Sequence, residues 1–139
     1  MTVISLRALA AATLISSMSV GAAWAQTVGS IPALQTTGTL QYTCGGIGSD
    51  ESTAMRSEMK NFPLSLLFAG KNGDYLADLQ VHIQGSNLSN PVRFSATGPV
   101  CLLKLPSGSY TVKVTSKEGS TQSKDVQVSR NGHTLDFRF

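Results

Sequence analysis

The sequence predicts a mainly β protein: an antiparallel sandwich of about seven strands with one short helix. Three observations carry this. Apolar and polar residues alternate with period two through most of the chain after Pro63. Clusters of Gly, Pro, Ser and Asn interrupt that alternation at hairpin spacing. A helical period is confined to one stretch, about residues 50–61.

The N-terminal segment has the layout of an export signal. Arg7 precedes an apolar run from Ala8 to Ile15, and Ala23-Trp24-Ala25 supplies small residues before Gln26, so residues 1–25 read as a signal peptide. Ser16, Ser17 and Ser19 interrupt the apolar run, which disfavours a permanent span, and no cysteine stands at the cleavage point to carry a lipid. No later stretch is long or apolar enough to cross a bilayer as a helix, so no transmembrane segment is expected after cleavage. The expected product is exported, periplasmic or secreted. It keeps 114 of the 139 residues, enough for one domain: a flexible leader at 26–37, polar and small with no period, and a single sandwich domain at 38–139. Without Arg7, ten basic side chains face eight acidic ones, a net charge of +2. The basic residues are scattered singly with no aromatic-rich basic segment, which excludes nucleic acid as an expected partner and leaves a weak preference for acidic surfaces.

The first strand is TLQYTC, in which Leu40, Tyr42 and Cys44 share a face; in VCLLKL, Cys101, Leu103 and Leu105 do the same. Both thiols therefore point to the core. In an exported chain they are expected to pair, and a bridge closing so long a loop stabilises by about 4 kcal/mol in the chain-entropy reading; two buried free thiols are the alternative.

Cys44 opens CGGIGSDE, which runs into the helix. Ser49 or Asp50 is the expected N-cap, Asp50 and Glu51 put negative charge at the positive end, and Pro63 stops the helix. Met55, Met59 and Phe62 fall on one face and are expected to cover an open side or edge of a sheet.

Strands follow. Leu64, Leu66 and Phe68 share a face, GKNGDY is a turn cluster, and Leu79, Val81 and Ile83 face inward. GSNLSNP is a loop, VRFSA a short strand, and Gly98-Pro99 a turn. VCLLKL, PSG and SYTVKVTS read as a hairpin, with Tyr110, Val112 and Val114 inward. KEGS leads to TQSKDVQVS, with Val126 and Val128 inward, and RNGH turns into TLDFRF, with Leu135, Phe137 and Phe139 on one face.

Gly98-Pro99, the turn Leu105-Pro106-Ser107-Gly108-Ser109-Tyr110, Gly119 and Val126-Gln127-Val128 resemble the carboxypeptidase regulatory-like domain. YLADLQVHI is similar to an early strand of that family, so the resemblance spans about residues 64–128. It implies a small Ig-like, transthyretin-like sandwich of about seven strands whose hallmark is a Leu-Pro-x-Gly-x-Tyr turn. The glycine-rich element with its helix also looks like small exported bacterial proteins carrying this domain alone. Such sandwiches serve as accessory modules, adhesin spacers and binding domains, so the resemblance speaks to fold and hardly to activity. The turn has its own physics: Pro106 presets it, Gly108 tolerates a positive φ, and Tyr110 can bury its ring while its hydroxyl finds a backbone partner.

Chemical motifs are sparse. A Walker loop needs Lys and then Ser or Thr after its last glycine, whereas Gly48 precedes Ser49, Asp50 and Glu51, two of them acids where an anion would sit. A dinucleotide fingerprint also needs a parallel βαβ unit, and the strands read as antiparallel. Asp50 and Glu51 diverge by about 100° on a helix, with no third carboxylate at calcium-loop spacing. His82 alternates outward with Gln80 and Gln84, and His133 lies in a turn, each without a partner at metal-ligand spacing. No Gly-x-Ser-x-Gly is present, and the Tyr-Arg-Gly-Ser ending of the purine-pathway hydrolase on the transthyretin-like fold is missing. A terminal Phe with alternating residues resembles a barrel strand, yet eight strands of about ten residues would leave no room for the helix and leader.

No catalytic, metal or cofactor site is therefore expected. The functional expectation is an exported, non-catalytic binding or accessory module that recognises an envelope or extracellular protein, or a polysaccharide, through loops such as GKNGDY and GSNLSNP. The alternatives are a small hydrolase of transthyretin-like fold and an inhibitor of a secreted enzyme. Tyr75 is the only aromatic in a candidate loop, which favours a protein over a sugar.

Overall fold

Alternating runs bury one side chain in two, so they form sheets that must cover each other's apolar faces. A computed structural model describes residues 30–139 and shows this arrangement; the expected signal peptide and the leader residues 26–29 lie outside the described residues. The elements run β1 (Gln35–Thr37), β2 (Leu40–Gly45), α1 (Ser49–Glu58) with a 3-10 turn (Met59–Asn61), β3 (Leu64–Ala69), β4 (Leu79–Gly85), β5 (Val92–Ala96), β6 (Val100–Lys104), β7 (Gly108–Thr115), β8 (Thr121–Val128) and β9 (His133–Arg138). One sheet has the order β1-β2-β6-β3-β9 and the other β5-β4-β7-β8. The described residues thus contain nine strands against about seven expected. Each alternating run forms its own strand, and Gln35–Thr37, read as flexible leader, pairs with β2 as an edge strand.

The expected inward residues meet in one core. Leu40, Tyr42 and Cys44 join Leu64, Leu66, Phe68 and Phe137 from the first sheet; Val81, Ile83, Phe94, Val112 and Val114 come from the second. Tyr42 stacks on Phe94 across the sheets with ring centroids 4.2 Å apart. Cys44 and Cys101 stand directly opposite each other on β2 and β6, with Cα atoms 4.1 Å apart, and form a disulfide. The bridge closes a separation of 57 residues.

Two expectations of connectivity are corrected. VCLLKL and SYTVKVTS do not form a hairpin: β6 belongs to the first sheet and β7 to the second, so Leu105-Pro106-Ser107 is a corner that carries the chain across the sandwich. Tyr110 holds that corner. Its ring is 2% exposed, and its hydroxyl donates to the Pro106 carbonyl at 2.6 Å. Burial pushes its phenol pKa up, and the Asn87 side chain partly offsets this. Gly108 has a positive φ of 159°, close to extended, and its missing side chain also makes room for the Asn87 amide, which donates to the Ser107 carbonyl.

The sandwich is also not wholly antiparallel. β3 pairs in parallel with β9, from Leu64 opposite His133 to Ala69 opposite Arg138. Moreover, β2 and β3 both run antiparallel to β6, which lies between them, so they are parallel to one another. Parallel strands cannot be joined by a tight turn; the link must cross the face of the sheet. That explains the helix. α1 makes the crossover and buries Met55 and, past the 3-10 turn, Phe62 against Val100 and Leu102 on the outer face of β6, with Met59, Leu67 and Ile31 packed around them. A ten-residue helix is marginal alone, so this contact is what holds it. As expected, the Met55, Met59 and Phe62 side covers a sheet, and it covers a face and not an edge.

Candidate functional site

The glycine-rich turn between β2 and α1 is occupied by the chain itself. Gly46 and Gly48 have φ of 96° and 89°, the left-handed region that favours glycine. The expected cap at Ser49 or Asp50 is corrected: Gly48 is the N-cap, no side chain caps the helix, and the first backbone bond runs from the Ser52 N–H to the Gly48 carbonyl at 3.0 Å. Ser49 and Asp50 instead begin the helix as exposed residues. The polar contact is made by Glu51, whose carboxylate accepts the Gly46 N–H at 2.8 Å. A Cβ on Gly45 would collide with that carboxylate. The expected absence of a parallel β-helix-β unit, which spoke against a dinucleotide fingerprint, is corrected: β2 and β3 are parallel and α1 joins them, with antiparallel β6 lying between. The charge argument against a phosphate loop holds: Glu51 fills the place where an anion would bind.

The two histidines are on different sheets and are not brought together. His133 opens β9, and its Nε2 lies 3.1 Å from Ser129 Oγ. Among the described residues no carboxylate is hydrogen-bonded to His133, and no group of three His, Cys, Asp or Glu side chains is placed to hold a metal.

The larger feature is the outer face of the second sheet, formed by the outward residues of β5, β4, β7 and β8. Strand register arranges these residues in rows. Ser95, Gln80, Thr115 and Thr121 form one row, with Gln80 Nε2 donating to Ser95 Oγ at 2.7 Å and the Thr115 and Thr121 hydroxyls 3.2 Å apart. Gln84, Thr111 and Asp125 form another, with Thr111 Oγ1 donating to Asp125 at 2.6 Å. Between them lies Arg93, His82, Lys113 and Ser123. Among the described residues no hydrogen bond or ion pair joins the members of this middle row. His82 Nε2 is shielded from solvent and has no partner. Desolvation first, then the charges of Arg93 and Lys113, hold the His82 pKa below its ordinary value. These residues, with Gln80 and Thr115, surround a hollow of about 210 Å³.

His82 faces outward as its alternation predicts, and nothing near it in the sequence marks it as part of a site. Its flanking cations are eleven and thirty-one positions away in the chain, so only strand register could reveal the row. Among the described residues, exposed aromatic or large apolar groups are few: Leu34, Ile47 and Tyr75. Tyr75, in the GKNGDY loop, is 63% exposed with the Arg56 guanidinium 5.9 Å from its ring centroid. Compared with known proteins, the chain matches no family model and no curated relative.

Proposed function

We propose that the protein is an exported, non-catalytic binding module of the carboxypeptidase regulatory-like kind, whose partner docks on the outer face of the second sheet and the loops beside it. The observation that carries this reading is the asymmetry of the two outer faces. α1 seals the first sheet with apolar contacts, whereas polar and cationic side chains line the second, which no element among the described residues covers. The disulfide supports export, because such bonds persist in oxidising compartments. The Leu105 to Tyr110 corner supports the kinship: its tyrosine holds the chain between the sheets. A protein partner is preferred to a polysaccharide, since this face carries no aromatic platform for sugar rings. Crosslinking in cells that export the tagged protein, followed by mass spectrometry, tests the reading; it predicts a recurrent protein partner joined through β4, β5 or β7.

A small hydrolase is the second reading, favoured by the Ser129 and His133 contact. Turnover of ester or amide substrates that is abolished by Ser129→Ala and His133→Ala would establish it and displace the binding module.

A further inference from the structure

On the open face of the second sheet, every other row is tied by cross-strand hydrogen bonds, whereas the row through His82 has none among the described residues. It instead sets two cations on either side of an imidazole. Each cation is one strand away from His82, and among the described residues neither Arg93 nor Lys113 has a carboxylate partner.

We propose that the hollow over His82 is an oxyanion-binding site, taking a sulfate or phosphate group between the Arg93 guanidinium and the Lys113 ammonium. Arg93 and Lys113 lie one strand to either side of His82, so their backbones are about 10 Å apart, a span that two long side chains can close over one ligand. Arg supplies a planar fork for two oxygens and Lys a mobile point charge. Thr115 adds a hydroxyl on the rim. His82 becomes a third donor once protonated, because both ring nitrogens then carry hydrogen.

This arrangement makes binding pH-dependent. His82 faces Arg93 from β5 and Lys113 from β7, with Gln80 and Gln84 beside it on its own strand and uncharged Ser123 at the β8 end of its row. The nearest carboxylate on β8, Asp125, is engaged by Thr111. Burial first and then the Arg93 and Lys113 charges lower the His82 pKa; a bound oxyanion offsets those charges, so it raises the affinity of His82 for a proton, and falling pH tightens the binding of the anion by the same linkage.

The inference rests on reading this face as a contact surface, and free ions test it separately from the partner. The His82 ring proton is followed by NMR against pH in chloride, sulfate and phosphate at matched ionic strength, with His133 as the internal reference. The expected result is a His82 pKa higher in sulfate or phosphate than in chloride. Arg93→Gln and Lys113→Gln should each weaken the effect roughly tenfold, the weight of one charged hydrogen bond. A response to one oxyanion alone assigns the ligand class, and a response to both assigns a general oxyanion site. If His82 titrates alike in all three salts, or if the shift survives in the double variant, there is no such site. Partner crosslinks that persist through that outcome would leave the contact surface intact and remove only the oxyanion.

Discussion

The two sheets share one core yet treat their outer faces in opposite ways. Val100 and Leu102 on β6 carry apolar side chains outward, and α1 covers them with Met55 and Phe62. His82, Arg93 and Lys113 occupy equivalent outward positions on the second sheet, and no element among the described residues covers them. The difference follows from connectivity. Parallel β2 and β3 require a crossover, and once a helix lies over the first sheet its outer face can be apolar. The antiparallel hairpins β4-β5 and β7-β8 need no such cover, so their outer face must be polar.

Introducing the same acid on both outer faces should break the comparison most sharply. Leu102→Asp buries a charge beneath the helix and should cost about 4 kcal/mol or more, whereas Lys113→Asp should stay within about 0.5 kcal/mol of wild type. Urea denaturation of the two oxidised variants measures both. The disulfide comes next: Cys44→Ala with Cys101→Ala should cost about 4 kcal/mol through the freed unfolded chain, read from the same midpoints and checked against the reduced wild type.

The sequence made the inward residues legible because alternation fixes which face a side chain takes, whatever its neighbours are. Leu40, Leu66, Val81 and Val112 all follow it. It also made the disulfide legible, since Cys44 and Cys101 stand in phase with inward residues. Strand order was not legible. Pro106 and Gly108 mark a turn equally well whether the next strand pairs back or changes sheet, and the Tyr110 contact that decides this is tertiary. For the same reason the cationic row was hidden, because His82, Arg93 and Lys113 are neighbours only through register. The cap failed on competition. Ser49 and Asp50 are good caps in isolation, yet Gly48 takes the left-handed backbone at the helix start and Glu51 reaches Gly46.

That last point gives a smaller test within the covered side. Glu51→Ala leaves the Gly46 N–H unpaired and should cost about 1–2 kcal/mol. Ser49→Ala should change stability by less than about 0.5 kcal/mol; a loss of about 1 kcal/mol, typical of a lost N-cap, would restore the serine cap. The smallest effect belongs to the open side. The folded His82 pKa lies below its ordinary value of 6.5, so the unfolded chain takes up the proton first as pH falls. The stability tied to neutral His82 is complete above about pH 6.5 and is lost as pH drops through the folded value. His82→Gln should flatten that part of the pH–stability curve and leave the neutral region unchanged.

The central claim is that the uncovered sheet is the working surface. A photoreactive residue placed in turn at Thr111 on the open face and at Ser57 on the exposed side of α1, in cells producing the full-length protein, tests it directly. The account predicts a discrete partner crosslink from position 111 and none from position 57; a crosslink from 57 with silence at 111 would contradict it.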